Sequence, residues 1–219
     1  MPSDLQMMQW AAVEDGLERK NLKMNGAVRG LMACLQRNGL HPVLLKGQGV
    51  AQFYEDPMLR ECGDIDLYFN QDEFEKAAEL MHGAGCTLRK EADGSYCYFW
   101  QGVPIEHHTH IYDICTPRAR RYLTTLAERH GCSEFSVAAA PEGETEVVKI
   151  PAPLPNLLLL STHLLKHLIG AGVGLRQFCD IARASPVLNG AYDAGRLEAV
   201  CRKTGIYKWR LQLHALLRE

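Results

Sequence analysis

The sequence of 219 residues lacks the features of several special classes of protein. No stretch approaches the roughly 20 consecutive apolar residues of a membrane-spanning helix, and the start, MPSDLQMMQW, lacks the basic-then-apolar order of a signal peptide. The eight cysteines form no CxxC pair, which argues against a disulfide framework. These absences predict a cytoplasmic protein whose cysteines are small, reduced core residues.

The sequence also has little net charge, with a formal value of −2. A strongly basic chain would attract nucleic acid, so this balance argues against a nucleic-acid partner while leaving room for a local basic patch. It has no repeat of fixed period and no low-complexity tract. What it does have is an ordinary globular composition, 47% hydrophobic and 23% charged, which is enough to bury a core.

Apolar periodicity predicts alternating helices and strands over the first two thirds of the chain. One or two helices are predicted from Leu5 to Asn38, where an Asn-Gly pair ends the pattern. Predicted strands are Val43 to Lys46, DIDLYF, SYCYFWQ, VPIEHHTHIY and Val147 to Ile150, and the rest of VAAAPEGETEVVKIPAPLP reads as loop. Further helices are predicted in QGVAQFYED, QDEFEKAAELMHG and PRARRYLTTLAERH.

The last third of the sequence is predicted to be helical throughout. Proline-rich PAPLP, residues 151–155, is the best candidate boundary, which gives one domain over residues 1–150 and a helical domain over residues 151–219. The chain ends inside an apolar helical pattern without a capping signal. This indicates either a truncated sequence or a final helix that docks elsewhere.

The stretch GDID places two carboxylates, Asp64 and Asp66, two residues apart at a predicted strand. Side chains alternate along a strand, so the two point to the same face, where they raise each other's pKa unless a cation lies between them. Mg²⁺ suits such a place because it takes one or two protein carboxylates and leaves positions for substrate phosphates. On GDID alone, a turn aspartate followed by a solvent-facing one is the more common explanation.

Three neighbouring features favour the metal interpretation. In LLKGQG a glycine separates a buried strand from a helix start, so the backbone N–H groups of residues 47–49 can face an anion. Glu106 in VPIEHH can supply a third carboxylate from a neighbouring strand. Arg60 adds a fixed cation suited to phosphate.

The ordered set LLKG, a helix, RxxGDIDL, a helix ending in glycine, and IExH resembles the nucleotidyltransferases of the DNA polymerase β superfamily. It looks most like a bacterial branch of uncharacterised nucleotidyltransferases. The likeness covers residues 43–108, and the helical LLLLSTHLLKHL and LRQFCDIA also resemble that branch. It implies an α/β (α+β) fold, a small mixed sheet flanked by helices, with a C-terminal helical part that forms the other wall of a cleft.

The resemblance also implies a chemistry for the acidic residues. Asp64, Asp66 and Glu106 would hold Mg²⁺ or Mn²⁺ and carry the transfer of a nucleoside monophosphate from an NTP, ATP first among them, to an unidentified hydroxyl. The acceptor is a small molecule or a protein side chain. Glu106 would also help to deprotonate the acceptor hydroxyl.

A second group of residues is implied to bind the nucleotide. Gly47 would let the chain approach the phosphates, and Lys46 and Arg60 would neutralise their charge. His108, by its place beside Glu106 and apart from the resemblance, is expected to bind phosphate or orient the carboxylate. The superfamily has serine where this chain has Gln48, whose amide would have to replace the hydroxyl. This departure keeps an alternative open, a non-catalytic module that binds a nucleotide or a protein with the same fold.

Other residues invite interpretations that the sequence does not decide. His108 and His110 would share a strand face with Glu106, with His107 opposite, which suits either a zinc site or, more commonly, a polar network. His163 and His167 have the i, i+4 spacing of helix ligands, but no HExxH accompanies them. The run RARR is typical of a solvated helix face, and the alternating aromatic residues of SYCYFWQ are more typical of core packing than of base stacking.

Overall fold

The structure, a computed structural model, describes residues 1–138, 145–170 and 172–217. Within these residues it contains seven strands and eight α-helices. The strands are β1 (Val43–Leu45), β2 (Ile65–Tyr68), β3 (Arg89–Lys90), β4 (Tyr96–Trp100), β5 (Val103–His108), β6 (Cys132–Ala138) and β7 (Thr145–Pro151). The helices are α1 (Asp4–Arg37), α2 (Gly47–Ala51), α3 (Gln71–Gly83), α4 (Pro117–His130), α5 (Pro153–Ile169), α6 (Leu175–Leu188), α7 (Ala194–Thr204) and α8 (Tyr207–Leu216).

The strands form one mixed sheet in the order β3-β4-β5-β2-β1-β7-β6. At its centre β1 runs antiparallel to β2 and parallel to β7, whereas β2 runs parallel to β5. The hairpin of β4 and β5 extends the sheet towards β3 by antiparallel pairing. A mixed sheet flanked by helices is the fold class that the sequence predicts, and the prediction is confirmed.

Helix α1 is a single helix of 34 residues that buries only its second half. The buried positions, Asn21, Met24, Ala27, Val28, Leu31, Met32 and Leu35, recur every three or four residues and so form one face. Lys23 Nζ donates to the carbonyl of Gly102, 3.1 Å away in the β4–β5 turn. This hydrogen bond joins α1 to the turn between β4 and β5.

The described chain divides into two compact units. The first comprises Met1–Thr109 and Glu134–Lys149, and the second comprises His110–Ser133 and Ile150–Glu219. In the second unit α5 is buried around most of its circumference, and the Trp209 indole of α8 donates to the carbonyl of Ser161 in α5 at 2.9 Å. The predicted division near residue 150 stays a prediction.

Several local predictions are wrong. The helix predicted in QGVAQFYED ends at Ala51, after which the next N–H groups bond three residues back and the chain turns. The strand predicted through VPIEHHTHIY ends at His108. Strands β3 and β6 were not predicted, because β3 has only two exposed residues and β6 carries a weak apolar alternation. Residues 139–144 of the predicted loop lie outside the described residues.

Two predictions from composition have different outcomes. All eight cysteines are free thiols, but only Cys62 and Cys201 are buried, whereas Cys115, Cys132 and Cys179 are exposed. The prediction of core cysteines is therefore wrong for most of them. Among the described residues, no helix combines the length and the apolarity that crossing a membrane requires.

Candidate active site

The centre of the candidate site is set by the pairing of β2 with β5. These strands are parallel, and their register places Asp66 opposite Glu106 and Tyr68 opposite His108. Directly paired residues of neighbouring strands present their side chains to the same face, and residues two apart on one strand share that face. Asp66, Glu106 and His108 are therefore brought to one face of the sheet.

Short polar contacts join these three residues and Lys46. His108 Nε2 lies 2.8 Å from Asp66 Oδ1 and 3.3 Å from Glu106 Oε2. Lys46 Nζ lies 2.9 Å from the same Asp66 oxygen, because β1 places Leu45 opposite Asp66 and Lys46 follows directly. Asp66 is only 3% exposed, whereas the Glu106 side chain is 38% exposed. Glu106 is thus the carboxylate of this pair that is open to solvent.

The charges of the cluster are matched in this structure. Burial would raise the pKa of the Asp66 carboxyl, but the charge of Lys46 and the hydrogen bond from His108 outweigh it and hold the pKa well below its usual range. Burial by itself would lower the pKa of His108, but hydrogen bonds to Asp66 and Glu106 raise it to about 9. His108 is therefore a cation at neutral pH, and it donates to both carboxylates.

A buried aromatic layer supports β5 from the opposite face. His107 is fully buried there, with its Nε2 atom 2.7 Å from the Tyr98 hydroxyl and its ring edge-on to Phe69 at 4.4 Å between centroids. Burial, and then the charge of His108, lowers the pKa of His107 to about 3. The two adjacent histidines thus differ in charge at neutral pH, since one faces carboxylates and the other faces the core.

The turn from β1 into α2 lies against the entry to β2. Both Lys46 and Gly47 have left-handed backbone angles, with φ of +49° and +43°. A Cβ atom on Gly47 would lie 3.4 Å from the Asp64 carbonyl oxygen, so the two segments approach closely. Glycine accommodates this turn readily, whereas a left-handed lysine is uncommon and costs backbone strain.

Four of the residues predicted from sequence are brought together: Lys46, Asp66, Glu106 and His108. Among the described residues, the donor atoms of Asp66, Glu106 and His108 all lie within 4.8 Å of one another, close enough to hold a metal ion. Carboxylate oxygens suit Mg²⁺ and Mn²⁺, and an imidazole is compatible with a transition metal once it has lost its proton. The donor set therefore fits a divalent cation.

The remaining predicted residues lie elsewhere in the first unit. Asp64 is half-buried just before β2 and does not belong to the metal-compatible cluster of the described residues. Arg60 is buried, and its Nη1 atom donates to the Glu61 carbonyl at 3.2 Å and to the Cys62 sulfur at 2.9 Å. The structure thus gives Arg60 contacts within its own loop.

Gln48 faces α1. It is 3% exposed, and its Nε2 atom donates to Asn25 Oδ1 at 2.6 Å and to Asn21 Oδ1 at 3.3 Å. Asn21, which sequence reasoning missed, donates in turn to the carbonyls of Met58 and Arg60 at 2.6 and 2.9 Å. A signal for it was present, since Asn21 is a polar residue within the apolar stripe of α1. This network fixes the loop that leads into β2.

The other histidines make local contacts. In the second unit, His163 Nδ1 lies 3.0 Å from Asp113 Oδ2, Lys166 Nζ lies 2.9 Å from Asp113 Oδ1, and His163 and His167 face each other at 3.2 Å. His110 lies beyond the end of β5, so it does not share a strand face with His108.

Of the aromatic residues of β4, Tyr98 is a core residue as predicted, Tyr96 and Trp100 are partly buried, and Phe99 is exposed. Tyr98 is buried, and Tyr96 stacks on Phe74 of α3 with 5.2 Å between ring centroids. This arrangement explains the alternation in SYCYFWQ by packing.

A model of the protein family described as an uncharacterised nucleotidyltransferase matches residues 2–219. The chain belongs to this family. The resemblance predicted from LLKG, GDID and IExH is thereby confirmed, and so is the nucleotidyltransferase branch that it indicated. None of the curated proteins matches the sequence at a significant level.

Solved structures share the fold of this nucleotidyltransferase family member at low sequence identity. The solution structure of the antibiotic-resistance factor ANT(2'')-Ia has a TM-score of 0.55 at 13% identity and covers 88% of this chain and 94% of its own. A crystal structure of ANT(2'')-Ia in complex with adenylyl-2''-tobramycin gives 0.56 at 12%, covering 86% and 98%. An antigenic nucleotidyltransferase-like protein from Paracoccidioides brasiliensis gives 0.53 at 14%, covering 91% and 93%. At such identities the likeness concerns the fold alone.

Proposed function

We propose that the chain transfers a nucleoside monophosphate from an NTP to a hydroxyl group of an acceptor and that a divalent metal ion acts at the Asp66 cluster. The observation that carries this proposal is the convergence of Asp66, Glu106 and His108 beside Lys46, in a member of a nucleotidyltransferase family. The complex of ANT(2'')-Ia with adenylyl-2''-tobramycin supports ATP as the first donor to test and a small molecule as the first acceptor class.

The residues that would hold the metal ion are Asp66 and Glu106, with Asp64 as a predicted third carboxylate. When bound, the ion would supply Lewis-acid stabilisation of the charge that develops on the phosphoryl oxygens. Lys46 and His108 now neutralise the two carboxylates. A triphosphate offers these two cations another anion, so we expect the metal ion and the nucleotide to bind together.

The chain's own groups have distinct tasks in the proposed reaction. An acceptor hydroxyl oxygen forms a bond to the α-phosphorus, the bond from that phosphorus to the bridging oxygen breaks, and pyrophosphate leaves. Glu106, the exposed carboxylate, takes the hydroxyl proton. Lys46 and His108 stabilise negative charge on the phosphates, and the buried Asp66 keeps these groups in place.

Thermal unfolding with each NTP, with and without Mg²⁺ or Mn²⁺, tests the binding step. A ligand at about 100 times its Kd adds about 2.7 kcal/mol of stability, which is about 5 to 10 °C for a chain of this size. We expect one NTP to raise the Tm only with metal present. Asp66→Asn and Glu106→Gln should abolish the rise, and Glu79→Gln on the exposed face of α3 is the matched control.

Turnover is then measured with an α-labelled NTP, a small-molecule extract and, separately, a protein extract. Label in a new product, with an equal amount of pyrophosphate, would support nucleotidyl transfer and identify the acceptor class. The proposal fails if no NTP raises the Tm with either metal, or if Glu106→Gln transfers label as well as the unchanged chain does.

The alternative of a non-catalytic binding module rests on Gln48, which stands where the superfamily has serine. The contact of Gln48 with Asn25 gives this residue a structural role that needs no loss of catalysis. Retention of the carboxylate pair beside Lys46 also argues for the enzyme. Tm shifts without label transfer to any acceptor would favour the module instead.

A further inference from the structure

Helices α4 and α7 of the second unit line a groove of about 530 Å³ that has no part in the proposed transfer. Cations stand along both of its sides, namely Arg118, Arg121 and Arg129 on α4 and Arg196 and Lys203 on α7. The remaining lining residues are uncharged, so no carboxylate lines the groove among the described residues. The run RARR therefore contributes to a concave surface and not only to a solvated helix face.

None of these five cations forms an ion pair with a carboxylate in the part of the chain that the structure describes. Their neighbour Arg202 behaves differently, since it lies on the same helix α7 and pairs with Glu198 at 2.7 Å. Glu198, the acidic residue of α7, thus pairs with Arg202 and does not line the groove. Within the described residues, the five groove cations therefore have no carboxylate partner.

Like charges that converge in one groove repel each other, and a bound anion removes that repulsion. Two further observations concern the groove cations. Lys203 lies over the ring of Tyr122, 4.0 Å from its centroid. Burial, and then the charge of Arg196, lowers the pKa of His130 at the end of α4. The formal charge of the whole chain is −2, so this concentration of positive charge is local to the groove.

The chemistry of the groove fits phosphate groups on a small molecule. Guanidinium groups bind phosphate oxygens in pairs, and four of the five cations are arginines. The volume lies within the range of small-molecule sites. A nucleic-acid strand is less suited, because the chain has no basic excess and because Lys203 already covers one face of Tyr122, the single aromatic residue that lines the groove among the described residues. We propose that the α4–α7 groove binds a small molecule that carries two or more phosphate groups.

Calorimetric titration of the full chain with tripolyphosphate, at low ionic strength and with EDTA, tests this proposal without any turnover. We expect binding that weakens with salt. The double variant Arg121→Gln with Arg196→Gln should raise the Kd by about tenfold or more, whereas Arg120→Gln, on the same helix outside the groove, should change it less than about twofold. Lys46→Gln should change the Kd less than about twofold, since Lys46 belongs to the Asp66 cluster and does not line the groove.

Several results would overturn the proposal. They are absence of binding, equal binding to the double variant, and loss of binding in Lys46→Gln, which would assign the probe to the cluster with Lys46 and His108. Tighter binding of a single-stranded RNA oligonucleotide than of tripolyphosphate would make the groove a nucleic-acid site. Thermal unfolding checks that each variant is folded, and Arg121→Gln alone replaces the double variant if that one unfolds.

Discussion

The protonated state of His108 makes the stability of the protein depend on pH in a defined direction. Its pKa is raised to about 9 in the folded chain, against 6.5 for an ordinary histidine. The folded state therefore holds this proton more tightly than the unfolded state does. The resulting stability is fully present below pH 6.5 and is lost as the pH rises towards 9.

The size of the effect follows from the same values. A pKa difference of about 2.5 corresponds to about 3 kcal/mol of unfolding free energy. Urea unfolding in EDTA across this pH range measures it, and His108→Gln, which cannot be protonated, is the reference. The range should stop near pH 9, because burial raises the pKa of the Cys97 and Cys201 thiols to about 11 and their ionisation adds a separate loss above that pH.

We expect the unchanged chain to lose about 3 kcal/mol more than His108→Gln between these two pH values. A difference below about 1 kcal/mol would refute the reasoning, since His108 would then not be held as a cation between two carboxylates. Unfolding free energy that rises with pH relative to the variant would contradict the sign as well.

Two further substitutions test the support of the site, each by urea unfolding at neutral pH. Tyr98→Phe leaves the buried Nε2 atom of His107 without its partner and should lower the unfolding free energy by about 1 to 3 kcal/mol. The control Tyr96→Phe should lower it by less than about 1 kcal/mol, because the Tyr96 hydroxyl is exposed. Equal losses in the two variants would contradict the role of the buried bond. Gly47→Ala should lower the unfolding free energy by about 1 to 2 kcal/mol, because the φ of Gly47 is +43°. Gly26→Ala, in α1 with open space around it, should instead raise the unfolding free energy by about 0.5 to 1 kcal/mol. A Gly47→Ala variant as stable as the unchanged chain would refute the strained turn.

Part of the candidate site could be predicted from sequence because it depends on local periodicity. The alternation in GDIDLYF places Asp66 on one face and its apolar neighbours on the other, whatever the strand pairs with. The glycine after LLK similarly marks a turn between strand and helix. Such patterns also identified the family, since an ordered set of short motifs is a property of the chain alone.

Helix ends and short strands were predicted less well, because they depend on which other segments pair or pack with them. Strand β3 consists of two exposed residues, and it exists because β4 offers it a pairing edge. In helix α1 the apolar periodicity begins near residue 5, but only the second half of the helix is buried. The apolar periodicity of a segment shows which of its residues can be buried, but it does not show which other segment packs against them.

What the sequence by itself determined is therefore the class of fold, the family and the alternation that puts Glu106 and His108 on one face of β5. Only the tertiary structure decided that Asp66 pairs with Glu106 across β2 and β5, that Lys46 and His108 neutralise Asp66, and that Gln48 points to α1. The physical reason is that strand register and side-chain contacts join residues far apart in the chain, as Asp66 and Glu106 are, at 40 positions. Those contacts depend on how the whole sheet and α1 pack, which no local pattern of residues encodes.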